Sequence, residues 1–254
     1  MKRTFKWPRG CECAISLTFD DGLPSQLKVA IPLLDKYGIR ATFYLCPSGS
    51  DWRERLKPWR KVAEEGHEVG NHTLSHPCSC NFPFASERCL ERLTLKEIEA
   101  DILEAQRRLE ALTGRTPSTF AYPCYQSYVG RGASRSSYVP VVARYFIAAR
   151  GLGEKPWSNL PLRCDLHYLW SWPAERMSAA EMIGLTELTA MKGGWGIFTF
   201  HGVNEGHLPV SKYDLELFLS YLIENEHRIW VAPMVEVAKY VIKLRDQMSV
   251  KAMQ

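Results

Sequence analysis

Short apolar runs alternate with amphipathic stretches along the whole chain. The apolar runs predict eight β-strands, at residues 14–19, 41–46, 68–70, 119–122, 146–149, 162–164, 196–200 and 229–232. The stretches between them predict helices at residues 26–37, 52–65, 95–112, 139–144, 179–191, 212–226 and 235–245. Such alternation is typical of a parallel sheet with crossover helices, and seven or eight units favour a closed or nearly closed barrel. We therefore predict an α/β barrel.

Two of the predicted helices have clear starting signals. Thr94 and Glu97 have the spacing of a capping box, and Gly114 is the expected end of the same helix. Ser178 and Glu181 open a later helix in the same way. These boundaries support the division of the chain into strand–helix units.

The composition adds few constraints. The 254 residues are 46% hydrophobic and 24% charged, which is typical of a globular protein of one large or two small domains. The net charge of +4 is too small to indicate a nucleic-acid partner, and no apolar run is long enough to predict a membrane span. The first residues are basic but lack the apolar region of a signal peptide. As written, the chain is expected to be cytoplasmic, or secreted or periplasmic if a leader has been removed.

Eight cysteines are present, an even number that would suit disulfides in a secreted protein. A chain of this length needs no such framework, however. The pairs Cys11/Cys13 and Cys78/Cys80 are a weak candidate for a second, sulfur-rich metal site, since Cys-x-Cys is not the usual zinc spacing. Taken with the start of the chain, the cysteines favour a reducing compartment.

Acidic and histidine residues follow several of the predicted strands. Asp20 and Asp21 end the first strand, His72 and His76 follow the third at a spacing of one helical turn, and His201 ends the seventh. The carboxyl ends of the strands of a parallel barrel lie on one face, so these side chains are expected to converge.

This set of side chains predicts a metal-dependent hydrolase. Two adjacent carboxylates oppose each other's ionisation, and a divalent cation removes that cost. Asp21, His72 and His76 would form a three-ligand metal site with an open position for water. We expect Asp20 to act as the general base on that water and His201 as the general acid that protonates the leaving group.

Three segments resemble motifs of a known family. Residues 18–22 (Thr-Phe-Asp-Asp-Gly), 72–76 (His-Thr-Leu-Ser-His) and 198–202 (Phe-Thr-Phe-His-Gly) are similar to the first, second and fifth motifs of the polysaccharide deacetylases. These are the NodB-homology or carbohydrate esterase family 4 enzymes. The resemblance covers roughly residues 12–240, and it implies one such domain over residues 1–254.

The resemblance also implies a fold, a cofactor and a reaction. The fold would be a distorted (β/α)7-8 barrel in a single domain. Asp21, His72 and His76 would hold a divalent metal, with Zn²⁺ expected first and Co²⁺, Ni²⁺ or Mn²⁺ as alternatives. Asp20 as base and His201 as acid would hydrolyse acetyl groups from carbohydrate.

The third motif departs from the family pattern. The family commonly has Arg-Pro-Pro-Tyr-Gly, whereas residues 121–125 read Ala-Tyr-Pro-Cys-Tyr. Ala121 thus replaces the arginine that pairs with the catalytic base, and Arg150 or Arg131 would have to supply that cation. The oxyanion donor, a backbone N–H in the family, falls at Cys124, and a backbone donor survives a change of side chain.

The fourth motif and the substrate contacts are less well marked. Asp165 with Trp170 or Trp172 is the candidate for the acid and tryptophan that tune the catalytic histidine. The expected partner is an acetylated oligo- or polysaccharide, such as an N-acetylated chitooligosaccharide, a peptidoglycan-type sugar or O-acetylated xylan. His207 is a further candidate for substrate contact. The expected substrate-binding residues are Tyr122, Tyr125, Trp170 and Arg150.

Other function classes fit parts of the same pattern. The same ligands could hold Fe(II), but oxygenases with that triad usually have an all-β fold, which the strand–helix alternation contradicts. A serine esterase is disfavoured because the chain has no Gly-x-Ser-x-Gly segment. Two alternatives stay open: a hydrolase of small cyclic amides or ureides on the same fold, and a non-catalytic carbohydrate-binding relative. An exposed aromatic groove would favour a polysaccharide, and a closed pocket would favour a small molecule. The oligomeric state is not indicated.

Overall fold

A computed structural model describes residues 5–85 and 87–250. Its main sheet is parallel, and the first seven of its strands form a closed ring, with β1 and β7 paired over residues 14–19. These are β1 (Cys13–Asp20), β2 (Thr42–Leu45), β3 (Glu68–Asn71), β4 (Thr119–Ala121), β5 (Ala148–Leu152), β6 (Leu169–Pro173) and β7 (Trp195–Phe200). The predicted α/β barrel is confirmed.

An eighth strand, β8 (Ile229–Val231), distorts the ring. It pairs with the first residues of β1, at positions 13–15, whereas β2 pairs with the last residues of β1, at positions 18–20. β8 is therefore wedged between β1 and β2 at the amino end of the barrel, and the carboxyl end keeps the seven-stranded ring.

The helices pack around this barrel. They are α1 (Ile31–Lys36), α2 (Trp52–Leu56), α3 (Pro58–Glu64), α4 (Leu95–Thr113), α5 (Val139–Val142), α6 (Ala179–Lys192), α7 (Lys212–Glu224) and α8 (Met234–Val250). A π-helical turn, Gln26–Ala30, leads into α1. The single helix predicted at residues 52–65 is divided into α2 and α3 because Pro58 cannot continue the hydrogen-bonding pattern of the preceding turn. Within the described residues, no helix is long and apolar enough to cross a bilayer.

The predicted capping signals are confirmed. Thr94 accepts a hydrogen bond from the N–H of Glu97, and Gly114 ends α4 in the left-handed conformation with a φ of 70°. Ser178 and Glu181 form the equivalent capping box at the start of α6.

The strand predicted at residues 162–164 is wrong. The N–H groups of Arg163 and Cys164 both donate to the carbonyl of Leu160, so this short apolar run forms a turn. The strand occurs later, as β6. β5 also begins later than predicted, because the N–H of Phe146 donates to the carbonyl of Val142 and closes the helical segment before it. Residues 153–168 connect β5 to β6 without an α-helix.

The alternation of side chains along β1 separates the core from the site. Phe19 points outward toward the helices and stacks on Phe43 and Phe200, each at a ring-centroid distance of 5.0 Å. The next residue, Asp20, points to the opposite face and thus into the barrel. The hydrophobic layer therefore lies directly behind the carboxylate.

Two disulfides lie near the carboxyl end of the barrel. Cys78 is bonded to Cys124 with a Cα–Cα distance of 5.9 Å, and Cys80 to Cys89 with a distance of 5.0 Å. The expectation of a chain without a disulfide framework is wrong here, and a thiolate metal site made from the two Cys-x-Cys pairs is excluded. Because disulfides persist in oxidising compartments, the inference of a reducing one also loses its basis.

Candidate active site

The two acidic residues are brought together by a sharp turn at the end of β1. Asp21 has a φ of 74° and Gly22 a φ of 64°, and the N–H of Asp21 donates to the carbonyl of Tyr44 at 3.1 Å. A Cβ on Gly22 would lie 2.9 Å from the side chain of Leu45, so the turn approaches β2 too closely for a larger residue. Asp20 is buried, whereas a third of the Asp21 side chain is exposed.

The two histidines face these carboxylates. His72 Nδ1 lies 2.8 Å from the carbonyl oxygen of Ala121. A carbonyl oxygen can only accept a hydrogen bond, so Nδ1 is the donor. The other ring nitrogen, Nε2, is then free to bind a metal ion. His72 Nε2 lies 3.8 Å from Asp20 Oδ2 and 3.7 Å from Asp21 Oδ1. His76 Nε2 lies 3.5 Å from the same Asp21 oxygen. Asp21 is thus the carboxylate shared by both imidazoles.

Asp101 on α4 holds the loop between the histidines. Its carboxylate accepts from the N–H groups of Leu74 and Ser75 at 2.7 and 3.1 Å, and from the Ser75 hydroxyl at 2.6 Å. The sequence motifs do not mark Asp101 as part of the site. Asp101 lies among the apolar positions of α4, where an acidic side chain is buried and needs hydrogen-bond donors. That position was the one feature of the sequence that indicated a structural role.

Arg150 occupies the place of the missing third-motif arginine. Its side chain is fully buried, its Nη2 donates to Asp20 Oδ1, and the guanidinium lies 4.8 Å from the ring centroid of Tyr44. Of the two arginines considered from the sequence, Arg131 is exposed in a loop, so the structure selects Arg150.

The charges of the site follow from these contacts. Burial raises the pKa of Asp20, but the Arg150 guanidinium, with His72 and His201, outweighs burial and lowers it overall. Burial also lowers the pKa of His72 to about 4, although the neighbouring aspartates oppose this. At neutral pH the carboxylate is therefore ionised and the imidazole is neutral, which are the forms that bind metals.

The donor set fits a transition metal. Two imidazole nitrogens and one carboxylate oxygen, from His72, His76 and Asp21, form the kind of set that binds Zn²⁺ and similar ions. The thiol of Cys46 lies in the same group of atoms, but it donates to the carbonyl of His72 at 3.0 Å, and burial raises its pKa well above the ordinary value. Cys46 is therefore a protonated thiol that supports the His72 backbone.

The predicted catalytic and metal-binding residues line one cavity of 540 Å³. Its wall also includes two exposed phenylalanines, Phe82 and Phe84. The lining residues are Asp20, Asp21, His72, His76, Phe82, Phe84, Tyr122, Cys124, Tyr125, Glu175, His201, His207 and Leu208. Residues more than 180 positions apart thus meet in one space.

The cavity that contains His201 is also lined by Glu175, an acid that the sequence patterns do not mark. His201 Nδ1 and Glu175 Oε2 are both buried and lack a hydrogen-bond partner among the described residues, and both side chains line the cavity. The expected fourth-motif acid, Asp165, is instead largely exposed and lies 3.7 Å from His167. Trp172 packs on Phe198 in the core. The candidate fourth motif is therefore wrong, and Glu175 is a further acid, besides Asp20 and Asp21, in the cavity that contains His201.

Only two of the four predicted substrate-binding residues, Tyr122 and Tyr125, line the cavity. Tyr125 lines it, and its buried hydroxyl has no partner within the part of the chain that the structure describes. Tyr122 also lines the cavity, but its hydroxyl donates to the carbonyl of His167 at 2.8 Å, so its proton is not available to a ligand. Arg150 lies beneath Asp20 and binds that carboxylate. Trp170 lines a separate groove, which corrects the prediction that placed it at this site.

Cys124 lies in an unusual turn after β4. Cys124 and the following Tyr125 have φ values of 48° and 58°, and the Cys124 side chain is bonded to Cys78. The disulfide therefore joins this turn to the loop that carries His76. Its side chain is thus not a nucleophile, and any catalytic role of Cys124 falls to its backbone.

Comparison with known proteins supports the resemblance to a family. A family model described as polysaccharide deacetylase matches residues 9–131, the part that contains both acids and both candidate histidine ligands. This match covers just under half of the chain and supports the resemblance to the polysaccharide deacetylases.

Among curated proteins, the chain is 28% identical over 251 residues to a gellan lyase of Bacillus sp., covering 89% of this chain and 9% of that protein. It is 34% identical over 110 residues to the peptidoglycan-N-acetylmuramic acid deacetylase PdaC of Bacillus subtilis, covering 43% of this chain and 21% of that protein. The chain thus spans less than half the length of these curated relatives.

Solved structures support the barrel. A candidate polysaccharide deacetylase of Mycobacterium smegmatis superposes with a TM-score of 0.64 at 18% identity, covering 95% of this chain and 94% of that one. A family 4 acetyl xylan esterase of Clostridium thermocellum, in complex with cobalt, gives 0.56 at 19% identity, with coverages of 89% and 91%. At these identities the likeness shows the fold.

Proposed function

We propose that this protein is a polysaccharide deacetylase, a metal-dependent enzyme that removes acetyl groups from a carbohydrate. The convergence of Asp20, Asp21, His72, His76 and His201 in one cavity is the observation that carries the proposal. The names of the relatives support the substrate class, since they include peptidoglycan deacetylases and an acetyl xylan esterase.

Three residues would hold the metal. Asp21, His72 and His76 present the donors, and Zn²⁺ is the first expectation, with Co²⁺, Ni²⁺ and Mn²⁺ as alternatives. When bound, such an ion supplies Lewis acidity to an acyl oxygen and to water.

The remaining residues perform the proton transfers. Asp20, kept ionised by Arg150, takes a proton from the attacking water. The backbone N–H of Cys124 donates to the oxygen that becomes negatively charged as the acetyl carbonyl is attacked. His201 gives a proton to the departing amine or alcohol, and Glu175 in the same cavity stabilises the protonated imidazole. Amides and esters pass through the same tetrahedral intermediate, so the same residues serve both bonds.

The aromatic lining of the cavity favours a carbohydrate over a small cyclic amide. Phe82, Phe84 and Tyr125 lie in its wall, and the first two rings are exposed to solvent. The non-catalytic alternative was based on the missing third-motif arginine, and Arg150 supplies that cation from β5. Both observations support an active deacetylase.

The test is acetate release from two substrates in parallel, N-acetylated chitooligosaccharides and O-acetylated xylan, with the Zn²⁺-loaded protein. We expect release from at least one, loss of release with a chelator, and recovery when the metal is restored. If a protein with one metal ion bound released no acetate from either substrate, the proposal would be contradicted, and a hydrolase of cyclic amides or a binding role would be favoured.

A further inference from the structure

The loop after His76 places two exposed aromatic rings at the edge of the cavity. Phe82 and Phe84 are 37% and 64% exposed, and their rings stack with a centroid distance of 5.0 Å and an angle of 19° between the planes. Both line the cavity that contains His76 and His201. Apolar rings left in water are unfavourable, and together they form a flat surface next to the candidate catalytic residues.

Covalent bonds fix the position of this loop. The disulfide Cys78–Cys124 attaches its first residues to the turn after β4. The disulfide Cys80–Cys89 joins two residues of the loop that are 9 positions apart. The two phenylalanines lie inside that closed segment, so their backbone is constrained on both sides.

Hydrogen bonds hold the base of the same loop. The carboxylate of Glu91 accepts from the Ser79 hydroxyl and, at 2.8 Å, from the N–H of Cys80. The N–H of Ser79 donates to the side chain of Gln126 at 2.7 Å. Within the loop, the N–H of Phe82 donates to the carbonyl of Ser79 at 3.1 Å. The rings are therefore presented on a preformed base, which lowers the entropy lost when a ligand binds.

We propose that Phe82 and Phe84 are a stacking platform for a pyranose ring of the acetylated oligosaccharide, and that they give the enzyme its preference for oligosaccharides over single sugars. This proposal rests on the proposed deacetylase function. A pyranose presents C–H groups on one face, and such a face packs on a flat aromatic surface. The platform is continuous with the catalytic cavity, so a chain whose acetylated unit lies over Asp21 and His76 would reach it with a neighbouring unit.

The chain offers a matched control on a different surface. Trp157 is 52% exposed and lines, with Trp170, a groove of 880 Å³ that shares no lining residue with the catalytic cavity. An aromatic residue there is equally accessible to sugars in solution but lies outside the cavity. Trp157→Ala therefore controls for the removal of an exposed ring.

The kinetic test compares the double variant Phe82→Ala/Phe84→Ala with the unaltered enzyme. The ratio of KM for chitotetraose, or for O-acetylated xylotetraose, to KM for 4-nitrophenyl acetate should rise about tenfold. The conservative variant Phe82→Tyr/Phe84→Tyr should restore the ratio, because it keeps both rings. Trp157→Ala should leave the ratio unchanged. An unchanged ratio in the alanine double variant, or an equal rise in Trp157→Ala, would overturn the proposal.

A binding measurement separates this proposal from the proposed function. Calorimetric titration of the two tetrasaccharides in the presence of a chelator needs no turnover, and the alanine double variant should bind about tenfold more weakly. If the alanine double variant bound more weakly and the unaltered protein released no acetate, the stacking platform would be supported and the deacetylase function refuted. If the unaltered protein released acetate and the double variant bound the tetrasaccharides equally well, the deacetylase function would be supported and the stacking platform refuted.

Discussion

Arg150→Met tests the ion pair that replaces the missing third-motif arginine. The side chains of Arg150 and Asp20 are 0% and 4% exposed, so the substitution leaves a buried carboxylate without its cation. Removing one partner of a buried pair typically costs about 3–5 kcal/mol of the free energy of unfolding. For a domain of this size, the melting temperature should fall by about 6–20 °C.

Thermal unfolding in the presence of a chelator is the assay, because a bound metal would otherwise compensate for the lost cation. In the double variant Asp20→Asn/Arg150→Met both charges are gone, so much of the lost stability should return. Arg107→Met is the matched control, since Arg107 is 63% exposed in its ion pair with Glu104 and should contribute less than about 1 kcal/mol. If Arg150→Met were no more damaging than Arg107→Met, or if the two substitutions were additive, the argument would be refuted.

Two further predictions concern the disulfides and the response to pH. Cys78→Ser/Cys124→Ser should weaken metal binding about 10–100-fold, because loss of groups that orient a metal ligand typically has an effect of that size. The control variant Cys80→Ser/Cys89→Ser should leave the metal affinity unchanged. Competition with a chromophoric chelator measures the affinity of both variants. Burial, with the charge of Arg40, lowers the pKa of His67 below 6.5, so its stabilising contribution is present above that pH and is lost as the pH falls through the lowered pKa. Melting temperatures between about pH 7 and 4 should therefore fall less steeply in His67→Gln than in the unaltered protein, and equal slopes would contradict the assignment.

Much of the barrel could be predicted because each strand–helix unit has its own pattern. The apolar run before Asp20 and the capping box at Thr94 are local signals, and the structure has both. β6 was misplaced because the three-residue apolar run at residues 162–164 looks like a strand by composition alone. Its turn depends on hydrogen bonds to Leu160, which no periodicity predicts.

The site was predictable where residues follow strands and not where they depend on long-range contacts. Asp20, Asp21 and His201 sit at strand ends, so the topology alone brings them together. Glu175 also follows a strand, β6, but that strand was misplaced in the prediction, and the phenylalanine platform lies in a loop without a periodic pattern. The disulfide partners could not be deduced either, because cysteine spacing does not determine which cysteines pair.

The central claim is that Asp20 is the base and that Asp21, His72 and His76 hold the metal. Asp20→Asn tests it most directly, with bound metal and acetate release measured on the same Zn²⁺-loaded sample. The account predicts a metal content equal to that of the unaltered protein and a rate of acetate release lower by about 10²–10⁴-fold. A fully active Asp20→Asn protein, or one that has lost its metal, would contradict this division of roles.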